Sequence, residues 1–133
     1  MIVAGLRSKD GASNAILRSV AKELIIPLAT PSLFLEYEAV LKRPEQRAAH
    51  GLDVVQIDRF LGALASAIEP VDVHIAWRPQ LRDAADEMVL EAAINGSADA
   101  LVTFNVRDFA TSAARFGLRV LRPGEILKEM KDE

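Results

Sequence analysis

Residues 82–109, RDAADEMVLEAAINGSADALVTFNVRDF, decide how the chain folds. Three acids, Asp83, Asp86 and Glu87, stand at the front of a run rich in small residues, and Gly96 punctuates its end. Acidic side chains suit the positive end of a helix dipole and glycine suits its C-terminus, so this half reads as a helix with Asp83 and Asp86 at N-cap and N3 spacing. ALVTF, 100–104, is then a short apolar run closed by an Asn/Asp turn, the pattern of a buried strand. Helix, turn, strand, turn is one half of an α/β unit.

The rest of the chain continues the alternation. Upstream, VDVHIAW (71–77) places Val71, Val73, Ile75 and Trp77 at a period of two, which predicts a strand. Before it, Asp53 and Gln56 have capping-box spacing and open a helix that buries Ile57, Phe60, Leu61, Leu64 and Ile68. Residues 48–51 read as loop. In TPSLFLEYEAVLKRP, Thr30 caps and Pro31 occupies the first turn of a helix that runs to about Lys42 and stops before Pro44. LIIPLAT (24–30) reads as a buried strand, and residues 12–23 as a helix with Ile16, Leu17, Val20 and Leu24 in phase and Ser13 in capping position. Downstream, NVRDFATSAARFG holds at most a short helix, LRVLRP (118–123) a last strand, and PGEILKEM a terminal helix. Such alternation predicts an open parallel sheet with helices on both faces.

Open α/β sheets gather their sites just beyond the carboxyl ends of the strands. Those positions hold residues 30–36, residues 103–108 and the acidic segment 83–87, each with carboxylates or hydroxyls. On its helix, Glu36 lies at the edge of the apolar stripe Leu33, Tyr37, Val40 and Leu41, whereas Glu38 points to solvent in line with Lys42. A carboxylate on a core-facing edge needs a base, a hydrogen bond or a cation, so an arginine partner and a metal role are both open for Glu36. Taken alone, the spacing of Asp83 and Asp86 favours helix capping; with another carboxylate facing them they also make a hard-cation site, and Glu91, one turn on, suits a surface ion pair. Thr103 and Asn105 offer oxygens for phosphate, water or metal. Asp108 offers a carboxylate or a cap for the next helix.

Other chemistries find little support. His50 and His74 are the only histidines and stand far apart, against a histidine metal site or a Ser–His–Asp triad. His74 reads as a satisfied or surface residue, and Trp77 and Phe116 as core. No glycine-rich phosphate fingerprint occurs. The chain of 133 residues is half hydrophobic, enough for one packed domain over 1–133, and it has no cysteine for disulfides or thiolate metal sites. A formal charge of −3 argues against a broad basic surface for duplex DNA, while leaving room for a local basic rim. No run is long enough to span a bilayer and no secretory leader pattern is present, so a cytoplasmic protein is expected.

Taken in order, SNAILRSV, a strand, TPSLFLEYEAVLKRPE, RDAADEMVLEAAINGSADALVTFNVRDF and GLRVLRPGEIL resemble the PIN-domain family. The similarity is greatest to its branch of toxins from toxin–antitoxin systems (VapC-like), and it covers nearly the whole chain. The resemblance implies a three-layer α/β/α sandwich with a central parallel sheet, an acidic cluster that binds Mg²⁺ or Mn²⁺, and hydrolysis of RNA phosphodiester bonds. It also implies a cognate antitoxin partner and a homodimer. Carried over by position, Glu36 matches the acid of the second helix and Asp86 the acid opening the later helix, with Asp83 in support. Asn105 stands where many relatives carry another Asp, and Asp108 is the nearby acid that partly substitutes. The implied metal ligands are Glu36, Asp86, Asp83 and Asp108; Thr103 and Asn105 position water or phosphate, and Arg43, Arg47 or Arg82 guide the RNA.

Relatives open with a short strand ending in Asp-Thr-Asn, and IVAGLRSKDGASNAIL resembles the segment immediately after that strand. The expectation is therefore a chain truncated relative to the family, lacking its first central strand and first catalytic Asp, with Asp10 placed too late to replace it. Such a chain is expected to bind metal weakly and to show low nuclease activity. Three readings result: a metal-dependent endoribonuclease, a catalytically disabled PIN-like protein that binds an antitoxin without cleaving RNA, and an unrelated α/β binding domain whose acids are only helix caps.

Overall fold

A computed structural model describes residues 11–74, 81 and 83–131. In chain order these form α1 (Ala12–Ala21), β1 (Leu28–Ala29), α2 (Pro31–Leu41), α3 (Pro44–His50), α4 (Val54–Ala67) and β2 (Glu69–Pro70). Then come α5 (Ala84–Asn95), β3 (Ala100–Val102), α6 (Val106–Ala114), β4 (Arg119–Leu121) and α7 (Pro123–Lys131). The class is α/β with parallel strands, as expected, but helices dominate. β1 pairs with β2, Leu28 opposite Glu69, and β3 pairs with β4, Leu101 opposite Val120. Among the described residues these are two separate two-stranded sheets rather than one continuous sheet. None of the described segments is hydrogen-bonded to both pairs.

Helix boundaries follow the local chemistry. Thr30 is almost wholly buried, and its hydroxyl accepts from the Leu33 N–H at 3.1 Å while Pro31 fills the first turn of α2. At α4 the capping box forms in both directions, Gln56 N–H to Asp53 Oδ1 at 2.8 Å and Asp53 N–H to Gln56 Oε1 at 2.9 Å. The segment expected as loop, 48–51, instead completes α3, which ends on Gly51 at φ 73°, a left-handed position where glycine carries no Cβ penalty. His50 closes this corner. Leu52 N–H donates to its Nδ1 at 3.0 Å, which leaves Nε2 as the donor to the Leu41 carbonyl, also at 3.0 Å.

The observed strands are shorter than expected. LIIPLAT contributes only Leu28–Ala29, and Leu24 and Ile26 are both 66% exposed, because an apolar run becomes a buried strand only where a neighbour covers it. Likewise 71–74 lies outside β2, with Val73 and His74 exposed and the His74 N–H bonded to Asn95 Oδ1 at 2.7 Å. Residues 75–77 lie outside the described residues, as does Arg82. Ser13 is no cap: α1 starts at Ala12 behind Gly11, and the buried Ser13 Oγ has no partner among the described residues.

One helix holds the two strand pairs. Leu90 and Ala93 of α5 pack with Leu101, Phe109 and Ala113, while Ala92 packs with Ala29 and Leu33, and Val89 touches both groups. Gly96, at the end of α5, is needed for that approach. A Cβ there would lie 2.8 Å from Leu28 Cδ1 and 2.8 Å from Val71 Cγ2. The left-handed turn after the helix falls instead on Ser97, at φ 52°. A third group, Leu41, Ile57 and Leu61 with Phe34, Leu52 and Phe60, fastens α4 to α2.

Candidate active site

Because α5 runs into β3 through a tight turn, its N-terminus returns to the carboxyl end of that strand, where α6 begins. Asp83 is the N-cap of α5. Its Oδ1 accepts from Ala85 N–H at 2.8 Å and from Asp86 N–H at 3.1 Å, so the capping reading holds for this residue. Asp86, at N3, is half-buried and makes no reciprocal capping bond among those described. Burial, then the charges of Asp83 and Asp108, hold its carboxyl above the usual carboxylate range. Asp108 stands in the first turn of α6. Asp108, 22 residues on in the sequence, is thus close enough for its charge to act on the Asp86 carboxyl.

Glu36 stands apart from this trio. Its side chain is 26% exposed against 43% for Glu38, as expected for the edge of the apolar stripe, and Arg43 Nη2 lies 3.8 Å from Glu36 Oε1. The arginine-paired reading thus has a partner in place, loosely held. Its neighbour Tyr37 is turned into the core, where burial pushes the hydroxyl up to about 12, so it brings no charge to the site at neutral pH. Glu38 and Asp58 share the Lys42 ammonium at 3.6 and 2.9 Å, which ties α2 to α4 and removes Lys42 from the free bases.

At the end of β3, Thr103 N–H continues the ladder to the Leu121 carbonyl at 2.9 Å, and Thr103 Oγ1 accepts from Asn105 N–H at 3.1 Å. Asn105 occupies the N-cap position of α6, yet its side chain makes no capping bond. The carboxamide is exposed and available to a ligand. Two buried glutamates complete the acidic helix. Glu87 accepts from the Leu81 N–H, and Glu91, one turn further along α5, is also buried. Phe104 closes the apolar run expected as strand, but it lies beyond β3 and is 50% exposed. The hydroxyl of Thr103, which can close a turn onto residue 105, is the sequence signal for that.

The oxygen donors suit a hard cation, although among the described residues no three acidic groups come together as a complete metal cage. Mg²⁺ asks for less than a cage, since it keeps most of its waters and uses one or two carboxylates plus substrate phosphate. Asp86 is the half-buried carboxylate of this set, with Asp83 and Asp108 acting on its charge, and Glu36 has Arg43 beside it. A surface hollow of about 420 Å³ lies elsewhere, between Pro44, Arg47, Ala48, Gly51, Leu52 and Asp53, and contains none of these acids. Its Asp53 is engaged in capping.

A family model described as PIN domain matches residues 1–107, most of the chain. PIN domains are generally nucleases and typically use divalent metal ions. No curated protein and no solved structure matches the chain. Among the described residues, no helix is long and apolar enough to cross a membrane.

Proposed function

We propose that this chain, which belongs to the PIN-domain family, is a metal-dependent endoribonuclease of the toxin–antitoxin type. The observation that carries the reading is the setting of Asp86, half-buried at the start of α5 with its anion disfavoured by burial and by the charges of Asp83 and Asp108. Acids with perturbed titration near a strand end are where functional sites are sought. Asp86 and Asp108 would hold Mg²⁺ or Mn²⁺, with Asp83 contributing the oxygen that its cap leaves free and Glu36 at the rim. The cation would stabilise the attacking and leaving oxygens and lower the pKa of a bound water. Thr103 and Asn105 orient water or phosphate through hydroxyl and amide. Arg43 and Arg47, both exposed, and Arg82 steer the RNA backbone. A cognate antitoxin and a homodimer are part of the same reading, as is a cytoplasmic site of action.

Two observations favour the second reading, a PIN-like protein that binds an antitoxin without cutting RNA: Glu36 has an arginine beside it and Asp83 is engaged as a cap. Both readings meet the same test, cleavage of a labelled single-stranded RNA with Mn²⁺ by the protein and its Asp86→Asn variant. Metal-dependent cleavage reduced by about 100-fold in the variant, the scale of losing one pre-organised electrostatic contact at a reacting centre, would support the nuclease. Equal cleavage by both would remove Asp86 from the chemistry, and no cleavage by well-folded protein would favour the non-cleaving alternative.

A further inference from the structure

The chain has five phenylalanines. Phe34 and Phe60 pack against the Leu41 group, Phe109 is 2% exposed in the α5 core, and Phe116 is half-buried. Phe104 alone is exposed, and it is the one aromatic among the large hydrophobic side chains that the described residues leave open. Leaving half a phenyl ring in water forgoes much of its transfer free energy, and the other exposed apolar residues are aliphatic and scattered. This ring also stands at a particular place. Its neighbours are both tied down, Thr103 through its N–H to Leu121 and Asn105 through its N–H to Thr103 Oγ1, so the corner that carries it is braced. Asp108 N–H closes the next turn onto the Asn105 carbonyl at 3.0 Å. Phe104 therefore stands just beyond the carboxyl end of β3 and ahead of Asp108 in the first turn of α6, with the exposed Arg107 on the same helix.

We infer that Phe104 is a stacking platform for an unpaired base of the nucleic-acid substrate, next to the phosphate that the acidic cluster receives. The inference rests on the nuclease reading and specifies its substrate as single-stranded at that position. A phenyl face attracts any base through its π-surface without a charge, so it adds affinity beside carboxylates that repel the backbone. It selects against duplex, because a paired and stacked base has no free face to offer. The turn adds pre-organisation of the backbone that carries the ring.

The test uses a short single-stranded RNA carrying one 2-aminopurine, whose fluorescence falls on stacking, with Ca²⁺ in place of Mn²⁺ so that binding is read without cleavage. The protein is compared with Phe104→Ala, Phe104→Leu and Phe104→Tyr, each checked for folding by thermal unfolding. Binding with quenching is expected for the protein and for Phe104→Tyr. Phe104→Ala and Phe104→Leu should bind about tenfold more weakly, within the range for one base–aromatic contact, and lose the quench. A duplex of the same sequence should compete at least about tenfold less well. Wild-type binding and quenching by Phe104→Ala, or full rescue by Phe104→Leu, would overturn the inference while leaving the nuclease reading intact. RNA binding by none of the proteins would overturn both.

Discussion

Thr30 and Thr103 occupy matching places, each ending a strand and leading into a helix, yet they are used in opposite ways. Thr30 is 1% exposed and its hydroxyl caps α2. Thr103 is only half-buried, and its hydroxyl closes a turn onto Asn105 rather than capping α6, whose N-cap side chain stays unbonded. The first turn is built for stability. The second leaves the Asn105 carboxamide, the Phe104 ring and the Asp108 carboxylate exposed. The contrast locates function more sharply than either region alone, because unsatisfied chemistry is tolerated only where something beyond the fold depends on it.

The comparison presumes that α5 holds both turns in register, and Gly96→Val should break that support most severely. Its side chain would enter space held by Leu28 and Val71, and overpacking of this kind costs about 1–3 kcal/mol, readable as a lower urea midpoint. The threonines themselves come next. Thr30→Ala should lower stability by about 1–2 kcal/mol through the lost buried cap, whereas Thr103→Ala should stay within about 0.5 kcal/mol and reduce RNA cleavage instead. Equal losses of stability at the two positions would erase the contrast drawn between them.

The smallest effect is the most diagnostic. A carboxyl whose folded pKa is raised is less comfortable as an anion in the fold than in the unfolded chain. The stability contribution of Asp86 therefore falls as pH rises from the ordinary aspartate range through its raised value. In metal-free buffer Asp86→Asn should melt slightly higher than the wild type near neutral pH, and the difference should vanish below the ordinary aspartate range. Saturating Mn²⁺ should reverse the order, since a cation that binds only the folded wild type raises its Tm. A variant that melts identically at every pH, with and without Mn²⁺, would mean that the cluster carries no strain for a metal to relieve.

What was legible in the sequence was local. The Thr30 cap, the Asp53–Gln56 box, the start of α5 at Asp83 and its end near Gly96 all depend on residues within one turn of each other. The apolar run at 24–30 and the start of the run at 71–74 were harder, because their residue types suit a strand while pairing depends on segments far away along the chain. Gly96 illustrates a correct position with a different cause: it ends the helix, but a right-handed φ of −88° and the contact with Leu28 and Val71 explain it, and Ser97 makes the left-handed turn. At the site, Asp83 and Asp86 follow from helix-start spacing. The approach of Asp108 to Asp86, and of Arg43 to Glu36, needed the tertiary structure. Phe104 was hidden by its neighbours: as the last letter of an apolar run it reads as core, until the Thr103 turn takes it out of the strand.

The shared helix also governs how the molecule opens. Ala92 and Ala93 are adjacent in sequence but belong to different packing groups, so α5 is the joint through which the β1–β2 and β3–β4 pairs are coupled. Strand pairs that exchange no hydrogen bonds with each other can lose their protection one at a time, in sub-global openings well below the cost of complete unfolding. Amide exchange should therefore resolve two cooperative units, with the α5 amides among the last to exchange because both units must release before that helix is free.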